Sequence, residues 1–474
     1  MKASLGNIRI PATSVFVVVL TLLGFGALAE WYGRAKSATA DFSERLPIKH
    51  RPDVGLAPTA PVADVQGRLI VGQGTAADLA GSWPQFRGPR RDGRAVSEVP
   101  LSTAWPAGGP KVLWRTAVGQ GYAGAAIHKG RVYLADYDHE AEGTAVRCLS
   151  LDDAAEMWRY VYPVRIKQNH GMSRTVPAVT DRYAVTITPL CHVLCLDAAT
   201  GELRWKMDMV RRFKTIVPPW YTGQCPLIDG DRVILAPGGE PFMIAVELAT
   251  GEIAWQVPNP GGWKMTHSSI MPAEFDGVRQ YVYCGSRGVI GVAADDGRVL
   301  WRWDDWRIAI ATSPSPAVVG SDRLLLTGDY DAGSQMVRVS RRGETFEVSQ
   351  LWRRAAKEFS CRQHTPIVDA GRLYAVLPDG HLACADLGGN RLWRSPSSLN
   401  SGLAPYMLAG GTMVVLSDET GELIMAEVAS GGYRELARAK VLDGNQAWGP
   451  MAFADGRLIV RDLTEMICLD LRAE

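Results

Sequence analysis

A tryptophan that recurs at nearly constant spacing is the feature that most constrains the fold of this 474-residue chain. The clearest copies of the sequence around it are CLDAATGELRW (195–205), VELATGEIAW (246–255) and VAADDGRVLW (292–301). Each copy joins two apolar strands through a turn that contains glycine, and a repeat of this length suits one four-stranded blade of a β-propeller. The recurring tryptophans, which we expect to pack between neighbouring sheets, stand 41 to 51 residues apart at Trp114, Trp158, Trp205, Trp255, Trp301, Trp352 and Trp393.

A proline at the start of the first strand of each repeat gives the number of blades. It stands at Pro177, Pro226, Pro272, Pro316, Pro366, Pro405 and Pro450, and Ala125 takes its place in the first repeat. Eight starts predict eight blades. The chain ends on a third strand, MICLDL, whereas KVLWRTAV (111–118) is a fourth strand that lacks its first three. We therefore predict that the strand at 112–116 closes the ring by completing the blade of residues 445–471.

The predicted fold class is all-β, an eight-bladed β-propeller with four-stranded antiparallel blades over residues 83–474, preceded by an N-terminal hydrophobic helix. Residues 1–35 are assigned to a signal or membrane anchor. Residues 36–82, rich in alanine, proline and glycine, are assigned to a flexible linker.

The N-terminal assignment depends on an uncharged apolar run from Val15 to Ala29 that follows Lys2 and Arg9. With its flanks the run approaches the roughly 20 residues needed to cross a bilayer, which favours an anchor. The sequence Ala27-Leu28-Ala29 also fits a signal-peptidase site, which favours a cleaved signal. Both alternatives export the propeller to the periplasm or another extracytoplasmic space, and the first holds it at the cell membrane by a single N-terminal segment.

The charge balance argues against nucleic acid as a partner. The chain has 51 Lys and Arg against 50 Asp and Glu, so it has no net field to attract an anionic polymer. The predicted partners are an envelope protein or a small anionic ligand, together with the membrane through the N-terminal segment.

The repeat, seen in full from Asp197 to Trp205, resembles the pyrroloquinoline-quinone-like (PQQ-like) repeat of quinoprotein alcohol dehydrogenases and of the BAM-complex assembly lipoprotein. The opening WPQFRGPRRDG (83–93), followed by WPAGGPKVLW (105–114), is similar to the start of exported PQQ-like proteins of planctomycete type. The resemblance spans residue 83 to the end. It implies the propeller fold and export more directly than it implies a reaction.

For a quinoprotein dehydrogenase the resemblance implies two adjacent cysteines, a carboxylate and amide set for calcium, and a catalytic aspartate. No two of the eight cysteines are adjacent, no Cys-x-x-Cys-His haem motif occurs, and no run of spaced acids resembles a calcium loop. The sequence thus favours a binding or assembly scaffold. A PQQ-dependent oxidoreductase of alcohol-dehydrogenase type, with PQQ and calcium as cofactors, stays the alternative, and no catalytic or metal-binding residue is assigned.

The cysteines have a simpler explanation. Four occupy one third-strand column in which other repeats carry Ala245 and Gly291, so the column calls for a small side chain: Cys148, Cys195, Cys384 and Cys468. The remaining four are candidates for disulfides in an oxidising compartment, with no pairing deducible: Cys191, Cys225, Cys284 and Cys361.

A candidate ligand site follows from the residues before the prolines. Four positions before each proline every residue is polar: Ser173, Thr222, Ser268, Thr312, Arg362, Ser401 and Gln446. Strand alternation places Gln224, His364 and Trp448, two positions before a proline, on the same face, so they line the same axial channel. Neighbouring residues complete a predicted cationic funnel for an anionic small molecule or peptide carboxylate: His170, Arg174, Lys264, His267 and Gln363. Its expected donors are Arg174, Lys264 and Arg362. In the alternative interpretation the column only caps strands and holds water.

Overall fold

The computed structural model describes residues 67–95, 99–164, 166–399, 402–428, 431–444 and 446–473, together with 21, 24–26 and 28–30. The chain divides into two compact units, residues 1–58 and 59–474. In the first unit the described residues are helical. Across the described parts of both units, no helix combines the length and the apolar character that a membrane span requires. Most of the apolar run 15–29 lies outside the described residues.

The second unit is built from strands, which form eight separate sheets. Four strands precede the first full repeat: β1 (Arg68–Val71), β2 (Ser82–Trp83), β3 (Arg94–Ala95) and β4 (Lys111–Ala117). Blade 1 contains β5 (Ala125–His128), β6 (Arg131–Asp138), β7 (Gly143–Ser150) and β8 (Glu156–Pro163), and blade 2 contains β9 (Ala178–Val179), β10 (Tyr183–Ile187), β11 (His192–Asp197) and β12 (Leu203–Asp208). Blade 3 contains β13 (Leu227–Asp229), β14 (Arg232–Leu235), β15 (Pro241–Glu247) and β16 (Ile253–Pro258). Blade 4 contains β17 (Met271–Phe275), β18 (Val278–Gly285), β19 (Gly288–Ala293) and β20 (Val299–Trp303).

Blade 5 contains β21 (Ala317–Val319), β22 (Arg323–Gly328), β23 (Gly333–Arg342) and β24 (Thr345–Arg354), and blade 6 contains β25 (Ile367–Asp369), β26 (Arg372–Val376), β27 (Leu382–Asp386) and β28 (Arg391–Arg394). Blade 7 contains β29 (Tyr406–Ala409), β30 (Thr412–Leu416), β31 (Glu422–Glu427) and β32 (Glu435–Lys440). Blade 8 contains β33 (Ala452–Ala454), β34 (Arg457–Arg461) and β35 (Glu465–Asp470). A short helix, Met209–Phe213, follows β12. Each blade is a four-stranded antiparallel meander, so the predicted eight-bladed propeller is confirmed.

The ring closes as the sequence predicts. Strand β4 pairs antiparallel with β35 and becomes the fourth strand of blade 8, with Trp114 opposite Cys468. The first strands of neighbouring blades contact one another, for example β9 with β5 and with β13, which places them nearest the axis. Pairing the first part of the propeller with its last strand leaves no open blade.

The segment 67–82, within the predicted linker 36–82, belongs to the propeller. Strand β1 pairs with β8 and extends blade 1 outward, and β2 pairs with β5. The sequence GRLIVGQG explains the first pairing, because a β-branched run is flanked by glycines that let the backbone come close. A Cβ atom on Gly72 would lie 1.9 Å from the carbonyl oxygen of Glu156. Here the structure differs from the expected flexible linker.

The recurring Trp and Gly hold neighbouring blades together. The Trp205 indole donates to the Leu248 carbonyl of the next blade at 2.8 Å, and Trp114 donates to Leu151 at 2.9 Å. Gly251 has φ +75°, and a Cβ there would lie 2.8 Å from the Trp205 ring. The Thr-Gly turn therefore needs glycine for its backbone conformation and for contact with the indole of the preceding blade.

Across the sheet from the tryptophans lies the predicted column of small residues, except in blade 5, where Met336 stands opposite Trp352. Cys195 stands opposite Trp205, and Ala245 and Gly291 stand opposite Trp255 and Trp301. All eight cysteines fall within the described residues, and all are buried and unpaired. The four named as disulfide candidates are therefore thiols packed in the core, where burial raises their pKa.

Candidate functional site

Residues 83–95, here called the strap, cross the propeller axis. Strand β2 joins blade 1, the Pro84 carbonyl accepts from Val179 in blade 2, and β3 pairs with β29 in blade 7. The sequence between these strands contains two buried arginines, Arg87 and Arg91. In a ring of eight blades, blade 2 lies opposite blade 6, and the strap bonds both blades, through the Pro84 carbonyl and through Arg87, so it passes over the axial channel.

Arg87 fastens the strap to the start of blade 6. Its guanidinium donates to the carbonyls of Thr365 at 2.6 Å and Pro366 at 3.0 Å, and to strap carbonyls at Arg91 and Asp92. Burial lowers the pKa of the Arg87 guanidinium. Four carbonyl partners compensate a buried charge that forms no ion pair with any described carboxylate.

Arg91 does the same at blade 3. It donates to the carbonyl of Pro226 at 2.9 Å and to that of Cys225 at 3.4 Å, and burial lowers its pKa to about 10. At both blades the accepting carbonyls stand where the chain enters the first strand. The strap arginines thus donate hydrogen bonds to main-chain carbonyls that, without the strap, only water could bond.

Next to the strap lies the axial cavity, of about 310 Å³. Strap residue Phe86 forms part of its wall. The other lining residues come from blades 1 to 6 and 8 and their connections: Tyr122, His170, Arg174, Trp220, Gly223, Cys225, His267, Ala311, Ser313, Tyr330, Gln363, His364, Trp448 and Pro450.

One side of the cavity is aromatic and cationic. Tyr122 and Trp448 stack with centroids 4.6 Å apart and an interplanar angle of 14°, and the Tyr122 hydroxyl donates to Gln446 Oε1. Arg174 lies over the Tyr122 ring at 5.5 Å and donates to the carbonyls of Asn169 and His170. Burial lowers the pKa of Arg174 to about 10, so it remains a cation at neutral pH, without a carboxylate partner among the described residues.

Two further polar groups of the cavity, His267 and His364, are buried histidines that are neutral at neutral pH. Burial, with a smaller contribution from the charge of Arg174, lowers the pKa of His267 to about 4. Burial and the charge of Arg87 lower the pKa of His364 to about 4 as well. The Nε2 atoms of both rings are buried and have no hydrogen-bond partner among the described residues. A ligand or ordered water in the cavity would satisfy them.

Six of the ten predicted site residues line this cavity: His170, Arg174, His267, Gln363, His364 and Trp448. Gln446 lies behind Tyr122 and accepts its hydroxyl. Gln224 is buried between blades, where its amide bonds Ala236 and the Tyr283 hydroxyl. Lys264 is exposed and outside the cavity lining, and Arg362 lies 3.8 Å from Asp329. Of the three expected cationic donors, the structure brings only Arg174 to the cavity.

The polar column four positions before the prolines was expected to face the axial channel, but none of its members is among the described residues that line the cavity. Ser173, Thr222, Ser268 and Thr312 are buried in the wall, and Ser401 lies outside the described residues. The residues three positions before the proline line the cavity instead in four blades, namely Arg174, Gly223, Ser313 and Gln363. The reason is that, in six of the seven blades that carry the proline, the first strand starts after it, so the two-residue alternation does not apply before it.

Sequence reasoning missed the strap arginines and the aromatic wall of Phe86 and Tyr122. The signal was present in WPQFRGPRRDG, where arginines alternate with prolines and glycines outside any repeat. Charged residues in a turn-rich segment usually face water, and only the fold buries these two.

The donor set of the cavity does not fit the calcium and quinone centre that the fold class suggests. Calcium requires several oxygen ligands that include carboxylates, and no Asp or Glu is among the described residues that line the cavity. Cys225 is the sole cysteine among the described lining residues, so the cavity also lacks the adjacent cysteine pair that the resemblance to quinoprotein dehydrogenases implies. Within the described residues, no three His, Cys, Asp or Glu side chains are grouped so as to hold a metal.

The fold and the cavity together define the class of protein, an eight-bladed PQQ-like β-propeller whose axial channel is crossed by its own N-terminal strap. The profile of the family described as "Outer membrane protein assembly factor BamB" matches residues 142–305 and 289–446, more than half of the chain. The chain therefore belongs to this family.

Individual relatives are distant. Outer membrane protein assembly factor BamB of Moranella endobia (strain PCIT) is 22% identical over 339 residues, which are 68% of this chain and 70% of that protein. Among solved structures, BamB from Moraxella catarrhalis matches with a TM-score of 0.54 and 15% identity over 76% of this chain and 99% of that chain. Quinohemoprotein alcohol dehydrogenase from Comamonas testosteroni matches with a TM-score of 0.57 and 12% identity over 83% and 81%. At such identities the structural matches show the fold alone.

Proposed function

We propose that this protein is an extracytoplasmic scaffold that binds partner proteins during assembly of the cell envelope. The observation that carries the proposal is membership, over residues 142–446, in a family described as an outer membrane protein assembly factor. The N-terminal segment 1–35 is proposed to hold the propeller at the cell membrane. The eight blades then present a rigid, closed surface to partner proteins.

The axial cavity is proposed to receive one anionic group, either a partner's carboxylate or that of a small molecule. Three features of the cavity support this. Arg174 is a cation without a described carboxylate partner, His267 and His364 each have an unpartnered Nε2 atom, and the Tyr122 and Trp448 rings give an apolar wall beside them. A carboxylate would supply the missing charge and accept two hydrogen bonds.

Deletion of the protein in its native host tests the assembly role. We expect integral outer-membrane proteins to decrease in a quantitative envelope proteome, while cytoplasmic proteins keep their levels. Complementation with the full chain should restore them. An unchanged envelope proteome in the deletion strain would contradict the scaffold role, whether or not the axial cavity binds a ligand.

Location needs a separate experiment. In spheroplasts we expect externally added protease to digest the propeller, and the intact chain to sediment with membranes. A protected chain would contradict export. A digested chain that stays in the soluble fraction would contradict only the anchor.

A further inference from the structure

A second cavity lies on the outer wall of the propeller, between blade 1 and blade 2. It has a volume of about 520 Å³, larger than the axial cavity, and we call it the lateral groove. Strand β8, strands β11 and β12 and the short helix after β12 provide its lining: Tyr162, His192, Leu194, Lys206, Met207, Asp208, Arg211 and Arg212. None of these residues belongs to the axial site.

Two buried polar groups in the groove have no partner. The Tyr162 side chain belongs to a fully buried residue and His192 is 4% exposed. The Tyr162 hydroxyl and His192 Nδ1 lack a hydrogen-bond partner within the described chain. Their rings meet edge to face with centroids 5.7 Å apart. A buried polar group without a partner costs about 1–3 kcal/mol, so two of them lining one cavity point to an occupant that bonds them.

The charges around these groups favour an anionic occupant. Lys206, Arg211 and Arg212 line the groove, and Lys206 Nζ lies 5.9 Å from the centre of the Tyr162 ring. Asp208 is the sole acid among the described lining residues, and its carboxylate already accepts the Arg211 backbone N–H at 2.9 Å. The described lining residues thus carry three cationic side chains and one carboxylate, a formal excess of positive charge.

The floor is apolar. The Tyr162 ring, Leu194 and Met207 are buried beside the charged groups. Burial also lowers the pKa of His192, so at neutral pH its imidazole offers one donor and one acceptor without a charge of its own. An occupant that matches both the cationic side chains and the apolar floor of the groove has an anionic head and an apolar body.

We propose that the lateral groove binds a phosphate group carried on an apolar body. A phosphate has three terminal oxygens, which suit cationic side chains and a neutral hydroxyl donor at the same time. The phosphate could belong to a soluble molecule or to the headgroup of an anionic phospholipid. The proposal goes beyond the scaffold function and does not depend on it.

Calorimetric titration of the full chain with 1-naphthyl phosphate, and separately with inorganic phosphate, tests the site. We expect the naphthyl compound to bind more tightly, because the ring contacts the apolar floor. Tyr162→Phe removes the unpartnered hydroxyl alone and should weaken binding about 10-fold or more, the scale of a hydrogen bond to a charged group. Its melting temperature should stay at or above that of the wild type, since a buried unsatisfied group is lost.

Charge variants provide the matched comparison. The double variant Arg211→Gln/Arg212→Gln should weaken binding about 5-fold or more. The control Arg287→Gln/Arg391→Gln removes two exposed arginines far from the groove and should change affinity less than about 2-fold. Arg174→Gln removes any binding of the probe in the axial cavity and should leave the Tyr162-dependent part of the titration unchanged, which separates the lateral groove from the proposed axial site.

Cosedimentation with phosphatidylglycerol vesicles, compared with phosphatidylcholine vesicles, distinguishes the two sources. A selective loss in the Arg211/Arg212 variant relative to its control assigns the groove to a lipid headgroup, because the N-terminal segment is the same in both proteins. Equal sedimentation together with Tyr162-dependent naphthyl phosphate binding assigns it to a soluble phosphate. No Tyr162-dependent binding of either probe would overturn the proposal.

Discussion

The buried arginines of the strap and of the axial cavity all donate to main-chain carbonyls, yet the carbonyls belong to very different parts of the chain. Arg87 and Arg91 donate to carbonyls at the strand starts of blades 6 and 3 and join distant parts of the ring. Arg174 donates to carbonyls of its own connection and keeps one face on the Tyr122 ring. A cation near a propeller axis is therefore not in itself a binding residue, because its role depends on which partners already occupy its donors.

The largest expected effect tests the strap. Arg87→Leu leaves the Thr365 and Pro366 carbonyls without their donors, so we expect the free energy of unfolding to fall by at least about 3 kcal/mol in urea titrations. The control is Arg90→Gln in the same strap, whose side chain is 60% exposed and pairs with Asp92 alone among the described residues. It should cost less than about 0.5 kcal/mol. Equal losses in the two variants would mean that the buried bonds of Arg87 do not hold the strap.

Acid should act on the cavity through its histidines. Both have a folded-state pKa of about 4 against roughly 6.5 in the unfolded chain, so protonation favours unfolding. Their contribution is complete above about pH 6.5 and is lost as the pH falls toward 4, by up to about 3 kcal/mol for each.

The measurement is urea unfolding between pH 7 and pH 4. His267→Gln/His364→Gln should flatten the pH dependence relative to the wild type, whereas His139→Gln, which replaces an exposed histidine, should not. If the double variant keeps the full wild-type slope, the two imidazoles are not buried in the neutral form.

A smaller effect on stability, but a clear one on binding, is expected at Arg174. Its charge lies beside the apolar wall without a carboxylate, so Arg174→Gln should change the free energy of unfolding by less than about 1 kcal/mol. Affinity for an aromatic carboxylate probe, indole-3-acetate, should fall about 10-fold or more in calorimetric titration.

The matched control for that titration is Arg362→Gln, because Arg362 lies beside Asp329 and outside the cavity lining. We expect it to retain wild-type affinity within about 2-fold. If Arg362→Gln removes binding and Arg174→Gln does not, the site follows the sequence column rather than the cavity described above.

The smallest effect is expected with the quinone. Because the described cavity lining has no carboxylate for calcium, adding calcium and pyrroloquinoline quinone to the full chain should give no bound-quinone spectrum and no alcohol-dependent dye reduction. A stoichiometric quinone spectrum that disappears in the Arg174→Gln variant would instead place the cofactor in the axial cavity and restore the dehydrogenase alternative.

Much of the fold could be predicted from the sequence because the propeller repeats itself. Blade number, the pairing of β4 with β35 and the small residues opposite most of the tryptophans depend on local patterns that recur from blade to blade. Six of the ten site candidates line the cavity, since the residues before the first strands must lie near the axis. Their position along the chain, just before a first strand, was sufficient to predict that they lie near the axis.

The tertiary structure alone decided which way those residues face and what they bond. The strap lies outside the repeats, so no periodicity places Arg87 at blade 6 or Arg91 at blade 3. The lateral groove likewise joins Tyr162 of blade 1 to His192 of blade 2 across a blade boundary. Repeating strands determine their own pairing through local hydrogen bonds, whereas the partners of buried polar groups depend on chain segments that meet only after the ring has closed.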